Sequence, residues 1–346
     1  MMASVAMTNP LDSFGRLIRD LRISVTDRCN FRCVYCMPRE IFGPGYAFVP
    51  RDELLRLEEI VRIAKVFAAC GVKKVRITGG EPMIRRNLEH LIEMIASIEG
   101  IDDISMTTNA SYLSKGRAVA LKDAGLNRIT VSLDALDEET FRTVCDIDFP
   151  VSRVLEGIEN ARQAGFENIK INAVIKRGLN EHSVLPLARY FHGTGSILRF
   201  IEYMDVGSTN NWKLDEVVSA SELVALINQE MPIDPVSPNY RGEVAKRWCY
   251  ADGGGEIGFI TSVTESFCGD CSRVRLSAVG QIYTCLFATE GYDIRDPLRA
   301  GASDQDLLEI VHTLWGKRED RYSELRGQMP VDTFSDPKVE MSHIGG

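Results

Sequence analysis

Short apolar stretches alternate with longer segments of helical period through the first two thirds of the chain. Six of the short stretches read as strands: 21–26 (LRISVT), 73–78 (KKVRIT), 103–109 (DISMTTN), 128–135 (RITVSLDA), 168–176 (NIKINAVIK) and 197–205 (ILRFIEYMD). Helical period marks 54–70, where Leu57, Ile60, Val61, Ala64 and Phe67 make one apolar face and Gly71 closes the element. The segment 88–99 ends at Gly100, and 151–165 follows the same plan. Strand, helix, strand at this spacing predicts parallel βαβ units. Six of them predict an α/β fold: an incomplete, TIM-like (β/α)6 barrel with helices outside. Its functional groups then belong at the C-terminal ends of the strands.

The pattern changes after about residue 235. SPNYRGEV (237–244) is turn-rich, 256–263 reads as a strand, and 273–287 as a hairpin around Gly280. A helix over 303–320 precedes a polar tail ending HIGG. The expected organisation is a barrel over 1–235 and a smaller α+β domain over 236–346, packed across the barrel mouth. No apolar run reaches the length of a membrane span. The first 16 residues lack a signal-peptide core, so a short flexible lead-in and a cytoplasmic location are expected. The net charge of −9, from 40 basic and 49 acidic residues, argues against nucleic acid as a partner. It leaves room for a local cationic pocket.

Nine cysteines change the picture. Cys29, Cys33 and Cys36 follow the first strand as C-x3-C-x2-C. Cys268, Cys271 and Cys285 form C-x2-C-x13-C, and the hairpin brings the third back towards the pair. In a chain with no export signal, such clusters point to metal or redox sites before disulfides. Three thiolates suit an iron–sulfur cluster with one iron left open. The alternatives are a zinc knuckle for the first set and a zinc ribbon for the second, with Cys249 or His343 as fourth ligand. Cys70, Cys145 and Cys249 read as packing residues, and no histidine carries a motif. Arg22, Lys74, Arg76, Arg199, Arg273 and Arg275 fall on strand positions turned inward or towards the mouth. Burying six unpaired cations is costly. Together they suggest a polyanion such as a triphosphate, which arginine grips bidentately.

The first cysteine spacing, with Tyr35 before the last cysteine, resembles the radical S-adenosylmethionine (SAM) superfamily. GGEP (79–82), after the second strand, is similar to that superfamily's SAM-binding turn. The resemblance implies that the open iron chelates SAM and that reductive cleavage gives a 5′-deoxyadenosyl radical. LRISVTDRCNFRCVYCMP, RITGGEPMIRR, FCGDCSRVRLS and the terminal Gly-Gly narrow it to the GTP 3′,8-cyclase branch, over about residues 14–346. That branch opens molybdenum cofactor biosynthesis.

The branch implies a lyase with two [4Fe–4S] clusters, on a radical SAM barrel whose smaller C-terminal domain carries the second cluster. The radical takes the ribose 3′ hydrogen of GTP, and the ribose carbon closes on guanine C8 to give 3′,8-cyclo-7,8-dihydro-GTP. By the same resemblance Cys29, Cys33 and Cys36 hold the SAM cluster, and Cys268, Cys271 and Cys285 hold the auxiliary cluster, whose open iron binds guanine. SAM contacts fall to Tyr35, Gly80, Ser132 and Met204. GTP contacts fall to Arg22, Lys74, Arg76, Thr107, Lys170, Arg199, Arg273 and Arg275. Gly345 and Gly346 match a flexible tail that reaches the active site, and with Arg273, Arg275 and the first three cysteines they complete the catalytic set. A cyclic pyranopterin monophosphate synthase acts downstream, a low-potential donor supplies electrons, and a homodimer is compatible with the branch.

Two departures stand out. Ala110 replaces the usual glycine after TTN, where a left-handed backbone would strain it. TVCDIDFP (143–150) replaces a more polar stretch. Both are expected to alter loops and not chemistry. Two other functions compete: a radical SAM enzyme that modifies a peptide, and a zinc-binding module without catalysis.

Overall fold

The structure, a computed structural model, describes residues 9–326 and 337–346. Six parallel strands pair in sequence order: β1 (Asp20–Ser24), β2 (Lys74–Thr78), β3 (Asp103–Thr108), β4 (Arg128–Ser132), β5 (Lys170–Ile175) and β6 (Ile197–Glu202). On each strand alternate residues such as Leu21, Ile23, Val75 and Ile77 are fully buried. They pack under the outer helices α1 (Leu57–Ala69), α2 (Leu88–Ala96), α3 (Lys115–Asp123), α4 (Glu138–Cys145), α5 (Val151–Gln163), α6 (Val184–Phe191) and α7 (Ala220–Glu230). Caps fix where several helices start: Asp137 accepts from Thr140 N at 2.8 Å, and Ser219 and Glu222 form a capping box. The other residues of each strand face inward, and these carry the charges.

The sixth strand stops at Glu202, three residues short of expectation, for a specific reason. The Glu202 carboxylate, buried, accepts from Ala220 N at 2.8 Å, Val263 N at 2.8 Å and Thr264 N at 2.9 Å. Those bonds staple three loops together and release the chain at Tyr203 into the turn that follows.

The open edges of the barrel are not left bare. The remaining strands are β7 (Ile233–Val236), β8 (Lys246–Tyr250), β9 (Glu256–Ile260), β10 (Arg273–Leu276), β11 (Gln281–Tyr283) and β12 (Tyr292–Asp293). They extend the same sheet to twelve strands in the order β12-β11-β10-β1-β2-β3-β4-β5-β6-β9-β8-β7. β10 covers β1 and β9 covers β6, each in parallel, which satisfies edges that would otherwise invite pairing with other chains. The expected division at 235/236 therefore falls inside β7, and the C-terminal strands share the barrel's sheet. The hairpin turns at Gly280, at φ +83°. Helices α8 (Arg295–Arg299), α9 (Asp304–Gly316) and α10 (Tyr322–Leu325) follow, and α11 (Met341–Ile344) precedes the final glycines.

The lead-in is not a loose end as far as it is described. Its first eight residues lie outside the described part, but Asp12 and Arg16 are buried. Ala110 adopts φ +58°, the left-handed conformation anticipated for that position. The departure at 143–150 is no remote loop. Carbonyls of Val144 and Cys145 accept from Val34 N and Arg32 N at 3.0 and 2.9 Å, and Phe149 lies 5.5 Å from the Phe31 ring. This stretch walls the first cysteine loop.

Helix α5 approaches the Ala110 turn because residue 157 is glycine: a Cβ there would meet the Ala110 carbonyl at 2.7 Å and the Ala110 methyl at 3.1 Å. Gly157→Val is expected to cost about 2–3 kcal/mol of stability through overpacking. Urea denaturation checks it, and an unchanged midpoint would refute the close packing.

Candidate active site

Register places the inward charges in rows across the sheet. Arg275, Arg22 and Arg76 are direct neighbours on β10, β1 and β2, and the row continues through Ser105 to Arg128. One step towards the strand N-termini the row reads Arg273, Asp20, Lys74, Asp103. The deeper row alternates in sign; the upper one is cationic. Arg128 turns back to Asp103. Arg76 reaches only neutral oxygen, Thr107 Oγ1 at 3.0 Å, and Arg199 only Asn172 Oδ1 at 3.0 Å. The Lys74 ammonium lies 3.8 Å from the centre of the Tyr240 ring.

The cost appears in the titration behaviour. Burial, then Arg275 and Arg76, push Arg22 well below its ordinary value. Burial and Arg273 bring Arg275 down to about 10. Burial and Arg76 bring Arg199 to about 9, and burial followed by Arg199, Arg128 and Arg76 brings Lys170 to about 7. Positive charge here outweighs the opposing charge of Asp20, Asp103 and Glu243, the electrostatics of a polyanion site.

The first cysteine loop follows β1 and lies on the GGEP turn. Gly80 N donates to Thr26 O and Glu81 N to Arg28 O, both at 2.8 Å. A Cβ on Gly80 would overlap the Arg28 carbonyl, so the turn and the cysteine loop touch backbone to backbone. Glu81 ties the turn to β3 through Thr108 Oγ1 and Asn109 N, both at 2.7 Å. Tyr35 donates to Asp134 Oδ2 at 2.8 Å, and burial raises Asp134 to about 6. Cys29, Cys33 and Cys36 all face the chamber. Burial and the charges of Glu81 and Cys33 push the Cys29 thiol up to about 12, and Cys36 rises for like reasons. Thiols such as Cys29 and Cys36, which disfavour ionisation alone, fit a cationic metal centre that reverses the balance. The Cys145 thiol lies beside Cys33, against the first cysteine loop, where the sequence alone predicts only a packing residue.

The second triad faces the same chamber. Burial raises Cys285 to about 12. Burial opposes ionisation of Cys271 as well, yet Arg273 and Arg318 hold it down to about 6. Arg273 Nε and Nη2 stand 3.3 and 3.2 Å from Cys271 Sγ. The residue expected to contact a triphosphate thus points first at a thiolate. Among the described residues no three Cys, His, Asp or Glu side chains converge on one metal-ion position. Cys249 lies on β8, outside the chamber lining, and His343 packs edge-on to Tyr283. Three thiols lining one chamber suit a polynuclear cluster with one iron left open.

Tyr35, Gly80, Ser132 and Met204, the cations named above, Thr107 and Gly346 all line the chamber. Gly345 joins them through Arg275, which donates to its carbonyl. Gly345 is at φ +76°, and a Cβ would overlap the Thr78 methyl. Two carboxylates moor the tail to the turn after β6. Glu340 accepts from Ser208 N and Thr209 Oγ1, each at 2.9 Å. Asp205 accepts from Lys338 Nζ at 2.6 Å and from Arg326 and Tyr322. Sequence reasoning missed Asp12, Arg16, Asp134, Asp205 and Arg318, because each acts through contacts distant in the chain.

Residues 23–191 match the radical SAM superfamily, and residues 196–324 match the family described as Molybdenum Cofactor Synthesis C. A protein of Acidothermus cellulolyticus named GTP 3′,8-cyclase is 50% identical, covering 98% of this chain and 100% of its own length. One of the same name from Staphylococcus haemolyticus is 50% identical over 97% of this chain and 98% of its own. Among solved structures, Streptococcus suis SuiB bound to S-adenosylmethionine covers 91% of this chain and 69% of its own, at TM-score 0.59 and 16% identity. SuiB bound to its precursor peptide SuiA gives TM-score 0.61 at 14% identity over 93% and 70%; these two speak for the fold alone. No helix among the described residues is long and apolar enough to cross a membrane. At half identity over nearly its whole length, the chain belongs to the GTP 3′,8-cyclase family of radical S-adenosylmethionine proteins.

Proposed function

We propose that the chain converts GTP to 3′,8-cyclo-7,8-dihydro-GTP, the first step towards the molybdenum cofactor, using SAM and two [4Fe–4S] clusters. One observation carries the substrate: the cationic row of Arg275, Arg22 and Arg76, with Lys170 and Arg199 beyond it, inside a chamber that also holds both cysteine triads. A peptide substrate has no need of such a row. Cys29, Cys33 and Cys36 would hold the SAM cluster, and Cys268, Cys271 and Cys285 the second. When bound, the first cluster supplies the electron that cleaves the sulfonium and yields the adenosyl radical. The protein's own task is placement and exclusion of water. Arg22, Lys74, Arg76, Lys170 and Arg199 neutralise the triphosphate. Arg275 divides its guanidinium between the Gly345 carbonyl and the substrate side. Tyr35, Gly80, Ser132 and Met204 frame SAM. A low-potential donor feeds the reaction in the cytoplasm, and a cyclic pyranopterin monophosphate synthase takes the product.

Anaerobic incubation of the reconstituted protein with SAM, dithionite and GTP is expected to give 5′-deoxyadenosine and a cyclised nucleotide together. Cys33→Ser is expected to abolish both. Turnover with a peptide and none with GTP would overturn the assignment.

Lys170, near 7 when the chamber is free, should regain its proton against a triphosphate. GTP binding is therefore expected to take up about one proton at about pH 8 and almost none at about pH 6. Calorimetry in buffers of different ionisation enthalpy reads this uptake, and Lys170→Met should remove it.

The two glycines are not equivalent. A Cβ at Gly346 would meet only the flexible Met341 Sδ, at 3.0 Å, whereas at Gly345 it meets strand β2. Gly345→Ala is expected to lower kcat by about 100-fold through misplacement, and Gly346→Ala by clearly less. Equal losses in steady-state assays would contradict the packing.

A further inference from the structure

The cysteine loop of the second triad lies between β9 and β10 and has no ladder of its own. Two arginines and one aspartate from outside that loop hold it instead. Arg16 Nη1 donates to Cys268 O at 2.8 Å and to Asp320 O at 3.0 Å. Arg318 Nη1 donates to Cys271 O at 2.7 Å, and its Nε to Thr284 O, next to Cys285, at 3.2 Å. Every arm of the triad is thus gripped by a guanidinium at or beside its cysteine. Asp12 Oδ2 joins the two arginines, accepting from Arg16 Nε at 2.5 Å and Arg318 Nη1 at 3.1 Å. Its other oxygen accepts from Phe14 N and Arg16 N at 3.0 and 2.9 Å. Trp315 Nε1 donates to Arg16 O at 2.9 Å, and Arg318 lies 4.6 Å from the Trp315 ring centre. The side chains of Asp12, Arg16 and Arg318 are 0%, 4% and 1% exposed.

We propose that Asp12, Arg16 and Arg318 form a clamp that sets the spacing of Cys268, Cys271 and Cys285, with Arg318 as the positioning residue for the second cluster. Buried ion pairs seldom repay their desolvation, and apolar residues of the same size would stabilise the fold as well. Apolar residues could not bridge three carbonyls. The guanidinium forks of Arg16 and Arg318 can. The clamp also gives the residues after Asn9 a task that no cysteine pattern discloses. It rests on the assignment of the second triad to an iron–sulfur cluster.

The full chain is reconstituted anaerobically as wild type, Arg318→Gln, Arg318→Lys, Asp12→Asn and Cys271→Ser. Iron and sulfide per chain are counted, and the dithionite-reduced protein is examined by electron paramagnetic resonance. Arg318→Gln is expected to lose about half its iron and sulfide and only the second of two paramagnetic species. SAM cleavage, which reports the first cluster, should persist. Asp12→Asn should lose less, and Arg318→Lys should rescue the metal poorly because a point charge cannot span two carbonyls. Full iron and both unaltered signals in Arg318→Gln and Asp12→Asn would overturn the clamp. So would joint loss of both clusters, which marks general misfolding. If Cys271→Ser itself keeps wild-type iron and spectrum, the cluster assignment fails and the clamp with it.

Discussion

The structure turns on like charges that a sheet forces side by side. Neighbouring strands lie about 4.8 Å apart, and like charges directly opposite each other oppose folding. Arg275, Arg22 and Arg76 are nonetheless adjacent in register. The row below alternates Arg273, Asp20, Lys74 and Asp103 and is self-compensating, so the crowding above is local and not a by-product of a basic chain. The opposite faces of the same strands offset it. Leu21, Ile23, Val75 and Ile77 are wholly withdrawn from water beneath the helices. The barrel's apolar exterior keeps its interior strained and receptive to anions.

Around this frame the two thiol triads live under opposite electrostatics. The first lies beside Glu81, and burial with neighbouring negative charge raises its Cys29 and Cys36 thiols. In the second, Arg273 and Arg318 incline Cys271 towards the thiolate, while burial raises Cys285. One chamber thus brings together a triad beside a buried carboxylate and a triad beside two guanidinium groups. Between them stand cationic side chains from β1, β2, β5, β6 and β10, turned inward by strand alternation.

That division explains what could be read in the sequence. Strand cores and the cysteine spacings are local patterns, and they were legible to within a few residues. Inward cations follow from period-two alternation once a strand is recognised. Where a strand ends depended on Glu202, whose partners lie at Ala220, Val263 and Thr264. No local pattern announces them. Asp12 and Arg16 have the spacing of a helical ion pair but no helix, and their worth appears only when Arg318, some three hundred residues on, folds against them. Cys145 resembled any buried small residue until α4 brought it to Cys33. The second-domain strands were visible, but their joining of the barrel's own edges was not, since edge pairing is decided by which strands are left open.

The contact at Gly80 couples two loops. The space a side chain would occupy is filled by the Arg28 carbonyl, one residue before Cys29. The GGEP turn and the first cysteine loop are therefore a single mechanical unit. Any displacement of the cysteine loop is passed to the turn through that backbone contact, and a side chain at position 80 would force the two apart.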